Sequence, residues 1–185
     1  MGNRVGLRRY TNVMTRRQTI PSPATPPGST PRYRDRIYDD ARHDPYRAKG
    51  KYQEPAACTG CGAIFEGGRW RWSQVAANAR PSMCPACARI RDALPAGYVS
   101  LSGPFFEAHR LELLRLVRNT AAQERAEHPL HRIMQILEDA EQTLVTTSDV
   151  HSARRIGEAL KHAYDGDLDI GFGHDEYSVR VSWRR

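Results

Sequence analysis

Four cysteines in two pairs of equal spacing are the residues of this chain best suited to chemistry. Cys58-Thr59-Gly60-Cys61-Gly62 and Cys84-Pro85-Ala86-Cys87 are two C-x-x-C knuckles with 22 residues between them. A knuckle turns backbone N–H groups toward its sulfurs, and the glycine after Cys61 eases that turn. Four thiolates satisfy the tetrahedral preference of Zn²⁺ with Zn–S bonds of about 2.3 Å and leave no position open for water. One structural zinc ion held by Cys58, Cys61, Cys84 and Cys87 is therefore the expectation. The rival chemistry is thiol redox, in which a C-x-x-C pair cycles through a disulfide; two matched knuckles favour metal. A segment of about forty residues cannot bury enough apolar surface to fold unaided. Metal binding, worth on the order of 10–16 kcal/mol in comparable small sites, supplies the difference.

Between the knuckles runs Gly67-Gly68-Arg69-Trp70-Arg71-Trp72. On a strand this alternation sends both guanidinium groups to one face and both indoles to the other. Arg69 and Arg71 are candidates for phosphate contact, and Trp70 or Trp72 for stacking on an unpaired base. The plainer alternative uses the tryptophans to close a small core and leaves the arginines in solvent. Arg89 and Arg91, after the second knuckle, would extend the same basic surface. Arg154-Arg155 could bring phosphate to a helix start or lie on a solvated helix face. Glu127, His128, His131, His151 and His174 invite a second metal or general-base site. Pro129 separates His128 from His131, however, and no nucleophile accompanies them, so they read as surface or satisfied histidines. No Gly-rich phosphate loop, G-x-S-x-G or H-E-x-x-H occurs, and the expectation is no enzyme and no small-molecule substrate.

The charge of the chain is concentrated at one end. Residues 1–54 carry twelve Arg and Lys, among them Lys49 and Lys51, against five acids, which accounts for the whole net charge of +7. A basic segment on a near-neutral body is a signature of nucleic-acid or anionic-surface binding. Five prolines fall within Pro21–Pro31, and the mean hydropathy is −0.66, so residues 1–54 read as a disordered basic tail. No apolar run is long enough to span a bilayer and no signal-peptide core is present. The acid-free, Arg-rich start matches a mitochondrial transit peptide in composition but lacks a clear apolar face, and a cytoplasmic protein with no membrane partner is expected.

The elements that must position these residues follow from periodicity. Residues 55–97 form the zinc ribbon, with room for a hairpin between the knuckles, and residues 98–185 an α+β domain. Gly103-Pro104 opens a helix whose face is Phe106, Leu113, Leu114, Val117 and Ala121, bounded by Pro129. Residues 130–147 fit either a helix or a hairpin turning at Asp139-Ala140-Glu141. Ser148 or Asp149 caps a helix with Val150, Ala153, Ile156, Gly157, Leu160 and Tyr164 on one face. Leu168, Ile170 and Phe172, then Tyr177, Val179, Val181 and Trp183, alternate as a hairpin with one buried face. The whole reads as a helix followed by ββαββ with an antiparallel sheet.

At Asp44-Pro45-Tyr46-Arg47, Cys58-x-x-Cys61-Gly62-Ala63, Gly68-Arg69-Trp70 and Cys84-Pro85-x-Cys87 the chain resembles a family of small bacterial zinc-ribbon proteins associated with low-oxygen or stress gene sets. Val145-Thr146-Thr147, His151 and Ala153-Arg154-Arg155-Ile156-Gly157-Glu158-Ala159-Leu160 carry the same resemblance, with Ser152 where a leucine is expected. That family is similar, in its ribbon and following domain, to the archaeal and eukaryotic adaptor that escorts the large ribosomal subunit in export. The resemblance covers residues 44–185. It implies the hairpin at 130–147 and implies ribosomal RNA, the ribosome or ribosomal proteins as partner. The function expected is a non-enzymatic RNA-binding protein that docks on the ribosome, in stress or hibernation. A DNA-binding, transcription-linked ribbon and a protein-interaction adaptor are the alternatives.

Overall fold

The structure, a computed structural model, describes residues 44–46, 52–139, 141–173 and 177–185. Most of the proposed basic tail, including Lys49 and Lys51, lies outside the described residues, as does His174. The described residues form a mixed α+β fold of four helices and two mixed sheets within one compact unit. Among them no helix is long and apolar enough to cross a membrane.

The cysteine-bearing sheet is built from short strands: β1 (Ala56–Cys58), β2 (Ile64–Glu66), β3 (Arg69–Arg71) and β4 (Arg80–Ser82), in the order β3-β2-β1-β4. β1–β2 and β2–β3 are antiparallel, whereas β4 runs parallel to β1. Gly67 and Gly68 join β2 to β3 with φ of +59° and +75°. A two-residue hairpin turn needs positive φ at both positions, which glycine alone adopts freely. Glu54 fixes this turn by accepting both N–H groups, at 2.8 and 3.1 Å. Helix α1 (Pro85–Asp92) then carries the chain across to the second sheet.

That sheet has the order β6-β7-β5-β9-β8. Its strands are β5 (Gly97–Ser102), β6 (Ile133–Glu138), β7 (Gln142–Thr147), β8 (Asp167–Phe172) and β9 (Val179–Arg184). Helices α2 (Pro104–Ala108) and α3 (Arg110–Glu127) separate β5 from β6, and α4 (Val150–Tyr164) separates β7 from β8. The expectation of an antiparallel sheet is corrected here. β5, for which the sequence predicts no strand ahead of the helix opened by Gly103-Pro104, is the central strand. It pairs antiparallel with β7 and parallel with β9. Parallel neighbours need a long crossover, and here the rest of the domain supplies it.

Helix α4 packs across β5, β7, β8 and β9, with α3 against α4. Asp149 caps α4 by accepting from Ser152 N at 2.9 Å. Phe106, Leu113, Leu114, Val117 and Ala121, the face read from periodicity, are all buried. Val99, Leu101, Val145, Val179, Val181 and Trp183 meet them from the sheet, with Ile156 and Leu160 from α4. Ile156 is 1% exposed in this layer, so Ile156→Ala leaves a cavity that neighbours cannot fill. It is expected to cost about 2–5 kcal/mol, measured as a lower urea midpoint with an unchanged m-value.

Candidate metal centre

The first knuckle is set by the strand that precedes it and the second by the helix it opens. Cys58 ends β1; its N–H donates to Ala63 O at 2.8 Å, and Gly62 N donates to Cys58 O at 2.9 Å. The resulting tight loop lifts Cys61 beside it. Cys84 caps α1 with its side chain, which accepts from Cys87 N at 3.4 Å, and Pro85 occupies the first turn where its missing N–H costs nothing. Cys84 N donates to Cys58 Sγ at 3.3 Å and links the two knuckles. Gly60 lies so close that a Cβ there would sit 2.8 Å from Cys87 Sγ. The sulfurs therefore converge only because that position carries no side chain.

The ligand atoms of all four cysteines lie within 4.8 Å of one another, and Cys61 and Cys84 Sγ are 3.8 Å apart. A tetrahedral ion with bonds of about 2.3 Å to sulfur holds its ligands about 3.8 Å apart. Cys58, Cys61, Cys84 and Cys87 are thus positioned to bind one metal ion, and the donor set fits it. Burial raises the Cys58 thiol, but N–H groups of Cys84, Gly60 and Cys61 outweigh it and bring the pKa down to about 6. Cys84 is pushed far above the ordinary thiol range, chiefly by burial, with the charge of Cys61 adding to the effect. Burial also raises Cys87, against the opposing bond from Arg132. Without a cation the four sulfurs cannot share so small a space as anions.

A residue absent from the sequence reading completes the centre. Arg132, 8% exposed, reaches over from the start of β6. It donates through Nη2 to Cys61 Sγ at 2.9 Å and through Nη1 to Cys87 Sγ at 3.3 Å, with Cys84 Sγ at 3.9 Å from Nη2. Its Nε donates to Pro129 O at 2.7 Å. Burial lowers its pKa, but the bonds to Cys61 and Cys87 more than restore it, so the guanidinium stays charged. Ser148 holds the backbone beneath it, accepting from Arg132 N at 3.1 Å and donating to Leu130 O at 2.6 Å. The only trace of this in the sequence is an arginine set between Leu130 and Ile133, where a strand turns inward.

The residues expected to contact nucleic acid are distributed differently. Arg69 and Arg71 are exposed on β3 with Trp70 buried between them, as the alternation requires. Trp70 packs against Tyr52 and Phe65, with ring centroids 5.2 and 5.4 Å away, and closes the small core rather than offering a stacking face. Trp72 is partly exposed, but its Nε1 donates to Arg125 O at 2.6 Å, which ties the cysteine sheet to the end of α3. Arg89 does not extend the surface. It is 4% exposed, ion-paired with Asp44, bonded to Leu94 O, and stacked over Tyr46 and Tyr177. Its alkyl stem lies on the inner face of α1, where a charge is tolerated only when paired. Arg91 is exposed and bonded to Asp92. On α4, Arg154 pairs with Glu158 and the exposed Arg155 with Glu124, each at 3.2 Å. These arginines are not brought together with Arg69 and Arg71 on one strand or helix.

No protein-family model, curated protein or solved structure matches the chain.

Outer-shell partners of metal ligands typically carry a factor of 10–100 in metal affinity. Arg132→Ala is therefore expected to weaken metal retention by about that factor, read by chelator competition, with Arg132→Lys in between. Because Cys84 and Cys87 hold their protons above the ordinary thiol range, metal uptake must displace those protons. Affinity is expected to weaken as pH falls, and calorimetry in buffers of different ionisation enthalpy should register proton release.

Proposed function

We propose that the chain is a non-enzymatic zinc-ribbon protein that binds RNA and docks on the ribosome, with a role in stress or hibernation. Zinc is the ion proposed for the four cysteines, because an all-thiolate tetrahedral set suits it and leaves no coordination site for substrate. The role proposed for the ion is scaffolding: it fixes β1, the knuckle loops and α1, and through them the strand that displays Arg69 and Arg71.

The observation that carries the RNA reading is that pair. Arg69 and Arg71 are exposed on one face of β3, with the intervening Trp70 buried, and the same chain carries a net charge of +7 concentrated in residues 1–54. Phosphate contacts of this kind give affinity without base specificity and depend steeply on salt. The choice of ribosomal RNA over other polyanions comes from the resemblance to a bacterial zinc-ribbon family that is itself similar to the adaptor escorting the large ribosomal subunit in export. Of the arginines off the strand, Arg91 and Arg155 are exposed enough to join such a surface by exchanging Asp92 and Glu124 for phosphate.

Replacing both strand arginines, Arg69→Glu with Arg71→Glu, is expected to flatten the plot of log affinity against log salt by about two phosphate contacts. Fluorescence anisotropy with a structured ribosomal RNA fragment reads this. An unchanged slope removes β3 from the interface, and tighter binding to duplex DNA in competition replaces RNA with DNA as the target. Sucrose-gradient fractionation tests docking directly. Protein confined to the top fractions at low salt, from growing and starved cells alike, overturns the ribosome as partner.

A further inference from the structure

The last turn of α3 and the turn after it assemble a second cluster of metal-ligating groups, of different chemistry from the cysteines. Glu124 and His128 are four residues apart and share a helix face; His128 N closes the helix by donating to Glu124 O at 2.8 Å. Pro129 then takes the second position of a turn closed by His131 N donating to His128 O at 2.9 Å. The proline expected to separate the two histidines instead folds one onto the other, with ring centroids 4.6 Å apart. The relevant acid is Glu124, not Glu127. Ligand atoms of Glu124, His128 and His131 lie within 4.8 Å of one another.

The geometry points to a second metal site here, for a divalent transition ion of the class that takes imidazole and carboxylate together, such as Zn²⁺, Ni²⁺ or Co²⁺. His131 Nδ1 stands 3.2 Å from Glu124 Oε2. Ligands bonded at about 2.0–2.1 Å to a tetrahedral ion are separated by about 3.3 Å. The other ring nitrogen, Nε2, faces Asp149 Oδ1 at 3.6 Å. Asp149 is nearly buried and anchored by Ser152 N and Oγ at 2.9 and 2.6 Å. A carboxylate behind the ring is the usual device for orienting a metal-bound histidine and fixing its tautomer. A neutral imidazole has one N–H for two flanking carboxylates. Donated to Glu124 it closes the 3.2 Å hydrogen bond; turned toward Asp149 it leaves the Nδ1 lone pair free to coordinate an ion beside Glu124.

The surroundings fit an ion with open positions. The C-terminal end of α3 carries the negative pole of the helix dipole, which favours a cation. Arg155 Nε engages Glu124 Oε1 at 3.2 Å and leaves Oε2 to the site, so it orients the carboxylate while tempering its charge. Glu127 Oε2 lies 4.0 Å from His128 Nε2. The side chains of His131 and Glu124 are 18% and 21% exposed and that of His128 55%, so one side of the cluster opens to water. His151 stacks beside His131 with centroids 5.9 Å apart and stands outside the three-residue donor set.

Titration of the full chain, first loaded with one equivalent of Zn²⁺, tests the assignment. Calorimetry with Ni²⁺ and absorption with Co²⁺ are the two readouts. Wild-type protein is expected to take up a further equivalent. Co²⁺ added there should give only weak visible bands, without the intense thiolate charge transfer that Co²⁺ in a four-cysteine site produces. His128→Ala and His131→Gln should each weaken that uptake by more than about tenfold and leave the thiolate signal of a separately Co²⁺-loaded sample intact. The exposed His128 keeps the test valid if His131→Gln disturbs the turn. No uptake beyond the first equivalent, with that equivalent retained in His128→Ala, overturns the site. Undiminished uptake in His128→Ala also overturns it. A total of one equivalent that is lost in His128→Ala supports this site while refuting the four-cysteine zinc reading, so the two proposals fail separately.

Discussion

The guanidinium of Arg132 rests against the sulfurs of Cys61 and Cys87, and much of the structure can be understood as what this contact requires. Four thiolates around a divalent ion carry a net charge of −2, in a site where Cys58 and Cys84 are buried. Such a charge is costly away from water unless a cation and hydrogen-bond donors answer it. Arg132 supplies both, and it does not belong to the cysteine sheet. Its Nε is held by Pro129 O and its backbone by Ser148, so the charge that balances the centre is anchored in the second sheet. A cysteine-bearing segment too small to bury a core of its own is in this way coupled to one that has a large core.

Two further contacts act in the same direction. Trp72 donates its indole N–H to Arg125 O at the end of α3, and Arg89 lies between Tyr46 and Tyr177 with Asp44 as its ion partner. Each joins segments distant in sequence. Each also uses a residue type that commonly reads nucleic acid, an aromatic or an arginine, for internal cohesion instead. The chemistry is the same in both uses: a planar cation or indole satisfied by an acceptor and a ring face. What separates the roles is burial, and burial is set by the partner strand or helix rather than by the residue's own neighbours in the chain.

That distinction explains what was legible in the sequence. The cysteine knuckles, the cap at Asp149, the faces of α3 and α4 and the alternation of β8 and β9 are written in local spacing, because each arises within one element or one hairpin. The alternation of Arg69, Trp70 and Arg71 was legible for the same reason, although whether the indole closes a core or stacks on a base was left open by it. β5 was not. Only Val99 and Leu101 of that strand turn toward the helices, and Ser100 between them and Ser102 after them resemble a loop although the strand lies in the middle of the sheet. Arg89 reads as a surface cation and Arg132 was missed because their partners stand 45 and 71 residues away, and no periodicity reports a contact of that length. The histidines read as surface or satisfied, and His128 is exposed while His131 bonds Glu124; what local spacing did not show is that Pro129 forms the tight turn that folds His131 back toward Glu124.

The short stretch from His128 to Arg132 therefore serves as the electrostatic joint of the molecule. Successive side chains on extended backbone point opposite ways, and the two residues before β6 use this fully. His131 turns toward the carboxylates of Glu124 and Asp149, and Arg132 toward the sulfurs. One turn thus presents an imidazole to the carboxylates and a guanidinium to the sulfurs. Its backbone is tied down from a third direction by Ser148, which bonds to both Leu130 and Arg132. The cysteine centre and the histidine cluster, unrelated in ligand chemistry, are thus joined through one short turn.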